Sequence, residues 1–347
     1  WLQPKFALPL VFLSTLFAAP VLLASQNWDD HDRSNKYTAL ANAKGYLESC
    51  EPNAILFTIG DNDTFPLWYA QEIEGIRRDV RVVNTQLFMT DWHIDQMKAK
   101  AYDSEPLPIS FDRNLYVGDK LDYVISNEIT QNRWELKNFL DFIKSDDPNT
   151  LLETQSGQSI HFFPTTKIRI PVDKNAVIKN KVVNEKYYDS IVPFMDIEIK
   201  DRAIYKARIM MFDIIQNNNW ERPIYFAVTN RPDKLFGLQD YLRLEGLGLR
   251  LVPTKYPTDP NYGIIGSGKV DAEKIYENVT KKFKWGNFDK EPTFINKSYE
   301  PSVQSLQLVI LRGALGLLEQ GDKKRSLELV DLYFSKFPDF QIMLKRT

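Results

Sequence analysis

From Phe6 to Ser25 the chain reads FALPLVFLSTLFAAPVLLAS, with no charged residue. Roughly 20 apolar residues are what a helix needs to cross the hydrocarbon of a bilayer. The stretch therefore leaves two main arrangements. Either it is a membrane span with an aqueous domain behind it, or it is a secretory leader, with Lys5 as its basic region and Leu23-Ala24-Ser25 near a cleavage position. A buried core helix fits less well, because no polar face recurs at helical spacing. The run is longer than the apolar core of a typical leader, which favours a span, and a first residue Trp1 in place of Met reads as a piece of something larger. Pro9 and Pro20 weaken the helix but are tolerated in spans where other groups meet the freed carbonyls. Lys5 before the run and Asp29, Asp30 and Asp32 after it point to an inner N-terminus and an extracytoplasmic body.

That body has ordinary globular composition, with 43% hydrophobic and 26% charged residues. A net charge of −2 and a pI near 6.1 give no electrostatic reason to expect nucleic acid as a partner. Cys50 is the only cysteine, so no disulfide forms within the chain, and three histidines, His31, His93 and His161, leave no material for a multi-histidine metal centre. Aromatic residues make up 13%, which serves a core and also suits stacking on sugars.

Periodicity predicts a helix over 35–50, with Ser34 able to cap it, and a buried strand over 54–59. Gly60-Asp61-Asn62-Asp63-Thr64 ends that strand. Pro66 suits the first turn of the next helix, and a second strand follows over 80–84. Strand, acidic turn, helix and strand make a parallel crossover, and ligands of open parallel sheets gather at the C-terminal strand ends. A short strand is expected at 116–118 and a helix over 132–144, and extended segments over 160–163 and 167–172 lie inside an irregular insertion spanning 146–192. Helix 203–219, strand 223–228 and strand 247–252 restore regularity. A connector over 254–298 carries one helix, 271–282. Helices 302–320 and 323–337, joined at Gly321-Asp322, resemble a tetratricopeptide-type hairpin.

Asp61 and Asp63 carry the sharpest chemical signal. Carboxylates one residue apart can share a divalent cation, orient hydroxyls, or divide nucleophile and acid roles. The plain structural reading competes, since Asp and Asn are turn residues and Asp63 can cap a helix. Asp61-x-Asp63 is similar to the haloacid-dehalogenase phosphatase motif, but Thr64 stands where that motif has glycine. Asp29-x-His31 with Gly60-Asp61 is a fainter likeness to dinuclear metallophosphatases, whose later histidines have no match here. Asp91 and His93 follow the second strand and are expected at the same edge, with Trp68 beside them. Near the membrane, His31 and Arg33 are candidates for contacting a phosphate or the acidic turn, against a reading of 29–34 as a solvated linker.

His31-Asp32-Arg33-Ser34, Asn53 to Thr58, Gly60-Asp61-Asn62-Asp63-Thr64-Phe65-Pro66-Leu67-Trp68-Tyr69, Gly75-Ile76-Arg77-Arg78-Asp79-Val80 and Arg222-Pro223-Ile224-Tyr225-Phe226 together carry a resemblance. They resemble the C-terminal half of multi-pass membrane proteins of Bacteroidota classed as glycosyltransferases, which are similar to the eukaryotic transmembrane O-mannosyltransferase of plexin-type receptors. The resemblance implies transfer of a sugar from a polyprenyl-phosphate donor to a protein or glycan acceptor. It implies a catalytic carboxylate in an early loop between membrane helices, which assigns that role to no residue here. The upstream membrane region of the same protein then becomes a partner.

The expectation is an α/β fold with a parallel-core sheet, divided as span 1–28, extracytoplasmic domain 29–298 and tetratricopeptide-like hairpin 299–347. The domain lies in the periplasm, held to the inner membrane, and binds acceptor or completes the transferase site. Asp61, Asn62, Asp63 and Thr64 form the ligand edge, with Trp68, Asp91 and His93 as neighbours and a divalent cation possible at Asp61 and Asp63. A non-catalytic peptide- or glycan-binding module and a magnesium-dependent phosphatase are the rivals.

Overall fold

The computed structural model describes residues 4–31, 34, 36–153, 157, 159–230, 235, 237–258, 269–287 and 300–337. The apolar run forms helix α1 (Pro4–Leu16), a π-helical turn (Phe17–Val21) and helix α2 (Leu22–His31). Lys5–Trp28 is long and apolar enough to cross a membrane, and none of it is buried against the body. Pro20 lies in the π turn. A prolyl ring collides with the carbonyl four residues back, and widening the helix by one residue per turn relieves the collision.

Helix α3 (Thr38–Ser49) leads to strand β1 (Ile55–Thr58), helix α4 (Asp61–Glu72) and strand β2 (Arg81–Asn84). β1 pairs in parallel with β2, as the crossover pattern requires. Ile55, Leu56 and Phe57 are wholly buried, each contributing about 1.5–3 kcal/mol. α4 begins five residues before Pro66, not at it, because its first turn is capped from inside (below). Helices α5 (Asp91–Met97) and α6 (Arg113–Tyr116) follow, and the strand expected at 116–118 is instead the end of α6 and the turn after it.

The stretch from 123 to 205, which includes the insertion expected over 146–192, is more ordered than its sequence suggests. Strand β3 (Tyr123–Ser126), strand β4 (Trp134–Glu135), helix α7 (Leu136–Lys144), strand β5 (Leu151–Glu153), strand β6 (Ser159–Phe163), strand β7 (Lys167–Pro171), helix α8 (Lys174–Lys179), strand β8 (Phe194–Glu198) and strand β9 (Ala203–Tyr205) come in turn. They make two small sheets, ordered β5-β6-β3-β9 and β4-β7-β8. Helix α9 (Lys206–Asn218) then returns the chain to the core.

Strand β10 (Ile224–Ala227), strand β11 (Leu242–Leu244), strand β12 (Gly248–Leu251) and strand β13 (Lys269–Val270) complete a six-stranded sheet of order β13-β11-β12-β10-β1-β2. β10, β1 and β2 form the expected parallel core. The rest corrects that expectation: β12 is antiparallel to both β10 and β11, so the sheet is mixed. The cause is the tight turn Glu245-Gly246-Leu247, too short for anything but an antiparallel return. Gly246 has φ +133°, and a Cβ there would stand 2.2 Å from Ser49 Oγ.

Helix α10 (Ala272–Glu277) precedes helices α11 (Glu300–Glu319) and α12 (Lys323–Lys336). The last two fold back on each other, with Ser326 Oγ donating to Ala314 O at 2.8 Å. α11 is also apolar enough for a span, but half of it is buried, packed on α10, α3 and β13. This pair serves the α/β body as a helical cover.

Candidate ligand cleft beside the acidic turn

The acidic turn is the first turn of α4. Asp63 is its third residue, and from there its carboxylate reaches back to accept from Gly60 N at 2.9 Å and Ile59 N at 3.2 Å. This answers amides that helix starts leave unpaired. Thr229 Oγ1 adds a third bond at 2.6 Å, tying the turn after β10 to the end of β1. Burial, with Asp63 close by, holds the phenol of Tyr46 in its protonated form. Thr64 is also buried, sharing a 2.7 Å hydrogen bond with Thr58 and accepting from Asn84 Nδ2 at 3.0 Å. Asp63 and Thr64 therefore fasten the C-terminal ends of β1, β2 and β10. Asp61 and Asn62 face solvent at the helix start.

No group of three His, Cys, Asp or Glu side chains that could hold a metal ion occurs among the described residues. Asp63 has its oxygens committed to three donors, so the geometry lends the phosphatase comparison no support.

The nearby hollow lies along the outer edge of β2, between α4 and α5. It measures about 530 Å³ and is lined by Trp68, Trp92, His93 and Tyr102, with Arg78 and Glu72 among the polar groups. That volume falls in the range of small-ligand sites. Trp68 and His93 are thus brought together as expected, while residues 61–64 lie outside the lining. Asp91 is turned away from it, accepting from Gly118 N at 3.3 Å and facing Arg113 at 3.7 Å. His31 ends α2 and its side chain is not described; Arg33 lies outside the described residues.

His93 is 1% exposed. Its ring is flanked by Trp68 at 6.3 Å, Phe88 at 6.1 Å and Trp92 at 5.3 Å. Neither ring nitrogen makes a hydrogen bond of normal geometry. Burial pushes its pKa below the ordinary value; Gln96 opposes that shift and Arg81 adds to it. A neutral imidazole offers a donor on one nitrogen and an acceptor on the other, which suits a hydroxyl group. Trp92, 47% exposed, and Tyr102, 50% exposed, line the hollow with it.

Tyr102 occupies a tight turn closed by paired bonds between Ala101 and Ser104 and has φ +52°. This is unusual for a bulky side chain and concentrates at ligand clamps. Its hydroxyl bonds Glu72, and Arg78 lies over its ring at 4.6 Å. The sequence reading missed Tyr102, Arg78 and Glu72. Trp92 was signalled by its place between Asp91 and His93; no local pattern marks the other three, which meet only in the fold.

A membrane-length apolar helix followed by a mixed α/β body with a ligand-sized aromatic cleft defines the class: a folded domain associated with a membrane protein. Residues 39–274 match the family described as TMEM260-associated domain 2, and the chain belongs to that family. The match runs from α3 into α10, across the whole central sheet. No curated protein and no solved structure matches the chain.

Proposed function

We propose that the chain is the extracytoplasmic domain of a membrane glycosyltransferase and that the cleft beside β2 binds the acceptor. TMEM260 itself is a transmembrane O-mannosyltransferase of plexin-type receptors. The apolar helix would hold the domain to the inner membrane with its body in the periplasm. The reacting carboxylate would belong to the membrane region it works with, which takes the sugar from a polyprenyl-phosphate donor. The observation that carries this reading is the Trp68 and Trp92 wall over the buried His93, whose ring nitrogens make no hydrogen bond of normal geometry. Indole faces stack on the C–H face of a sugar, and an imidazole that can both donate and accept meets its hydroxyls. This favours a hydroxyl-bearing chain, a glycan or a Ser/Thr-rich peptide.

The test is a tryptophan-fluorescence titration of the full chain in detergent with mannose oligosaccharides and with a Ser/Thr-rich peptide. Saturable quenching is expected, lost in Trp92→Ala and weakened about tenfold in His93→Phe, which removes one or two hydrogen bonds. Quenching that both variants leave intact sinks the cleft assignment.

A further inference from the structure

Helix α4 buries Leu67, Ala70 and Gln71 in the body and turns Phe65, Tyr69 and Ile73 outward. These three recur at four-residue spacing, which sets them along one side of the helix. All are exposed, Ile73 at 72%. Single exposed apolar side chains are ordinary on a protein surface, but a contiguous row marks a contact face. Tyr37, just before α3, is exposed beside that row. The hydrogen bond to Glu74 raises the pKa of the Tyr69 phenol, and Tyr37 stands near enough to add to the rise.

Tyr37 also lines a hollow of about 350 Å³ between α3, the segment after α10 and the end of α12. Leu40, Trp285 and three lysines, Lys44, Lys284 and Lys336, share its wall, and no carboxylate is among the lining residues. Carboxylates on the neighbouring turns face other cations: Glu48 faces Arg77 at 4.0 Å, and Glu277 faces Lys282 at 3.9 Å.

Chain length fixes how far this face can stand from the apolar helix. The membrane-length stretch closes at Trp28, and α2 ends at His31. Tyr37 is six positions further on. At no more than about 3.6 Å per residue, it lies within roughly 22 Å of the end of α2. Tyrosine and tryptophan settle at the headgroup level of a bilayer, and lysine stems lie on apolar surface while their ammonium groups reach water or phosphate.

We propose that the outer side of α4, with Tyr37 and the lysine-lined hollow, lies on the surface of the bilayer that holds the apolar helix, with anionic phospholipid headgroups against Lys44 and Lys284. Phe65, Tyr69 and Ile73 enter the headgroup layer, and the lysines add electrostatic attraction to it. The cleft beside β2 opens on the adjoining side of α4, through Trp68 and Glu72, so a docked body holds that cleft at a fixed height above the membrane. The inference rests on the apolar helix being a span, and not on what the cleft binds.

Spin labelling of the full chain in phosphatidylcholine vesicles, with and without phosphatidylglycerol, tests it. Cys50 is buried, so nitroxides attach at introduced cysteines. Labels at Phe65→Cys and Ile73→Cys report on the face, and one at Ile129→Cys, exposed beyond β3, reports on water. With phosphatidylglycerol present, the first two are expected to collide more with lipid-dissolved oxygen than with an aqueous nickel chelate, and the third to do the reverse. Lys44→Gln and Lys284→Gln should each lower the ratio of docked to undocked body about fivefold, the worth of one lysine near an anionic surface. Lys284 is exposed, so its variant decides the matter if Lys44→Gln does not fold. Face labels as open to nickel as the one at Ile129→Cys in both kinds of vesicle, or docking that the lysine variants leave unchanged, overturns the proposal. A chain that an alkaline wash strips from the vesicles overturns the span and this contact together, and leaves the cleft to its own titration.

Discussion

At the C-terminal end of β1, the buried carboxylate of Asp63 receives three hydrogen bonds, from Ile59, Gly60 and Thr229. On one face of the same sheet, where Arg243, Arg250 and Tyr225 surround the buried Glu245, the Nε of Arg250 is unpaired and its nearest carboxylates are Glu245 at 3.7 Å and Glu51 at 3.9 Å. Both are charged groups taken out of water, a transfer that costs several kcal/mol unless compensated. Asp63 is compensated by the fold itself and therefore reads as a fastener. Against its burial, Tyr225 and Glu245 hold Arg250 charged, yet its Nε–H stays unpaired, and the ring nitrogens of His93 in its cleft also lack a hydrogen bond of normal geometry. The contrast separates polar residues that hold the scaffold from those with bonding capacity left for something else.

The comparison is most severely tested at Glu245. Glu245→Gln leaves Arg243 and Arg250 with an uncompensated buried charge, and a loss of about 3–5 kcal/mol in unfolding free energy is expected. A loss below ~1 kcal/mol would mean that water already compensates these arginines. Asp63→Asn, which spoils a complete set of bonds without changing shape, should cost about 2 kcal/mol in a denaturant titration. Its neighbour in the same tripeptide should behave oppositely: Asp61→Ala, exposed at the helix start, should cost only about 0.5 kcal/mol.

The smallest effect concerns pH. His93 is depressed by burial in the folded chain, so below about pH 6.5 the unfolded chain binds more protons there, and stability falls as the pH drops through that window. His161, also depressed by burial, contributes in the same sense. His93→Phe should flatten part of the slope; an unchanged slope would mean that His93 is protonated in place.

The crossover from β1 through α4 to β2 was legible because its alternation of apolar run, turn and helix is local. The helical pair 300–336 was legible for the same reason. α4 was placed to start at Pro66 because proline is the stronger written signal, whereas a carboxylate reaching back to Gly60 and Ile59 leaves no periodic trace. β11 was missed because Leu242-Arg243-Leu244 is short and its buried Arg243 depends on Glu245, a partner that a pattern of polar and apolar positions cannot supply. Arg250 lay within the expected strand 247–252, but its burial carried no local signal for the same reason. Trp68 and His93 were foreseen as neighbours, but their cleft lies along β2 rather than at the strand tips, since its far wall, Tyr102, arrives through a strained turn that composition does not announce.

The π-helical turn at Phe17–Val21 falls near the middle of the Lys5–Trp28 rod. A prolyl nitrogen cannot donate, and a π turn lets the amide one residue further on meet the carbonyl that the proline would have left bare. Set in a bilayer, such a rod would keep its main chain paired through the bend, and Pro20→Ala is expected to straighten it without weakening its insertion, as read by the tilt of the helix in oriented lipid.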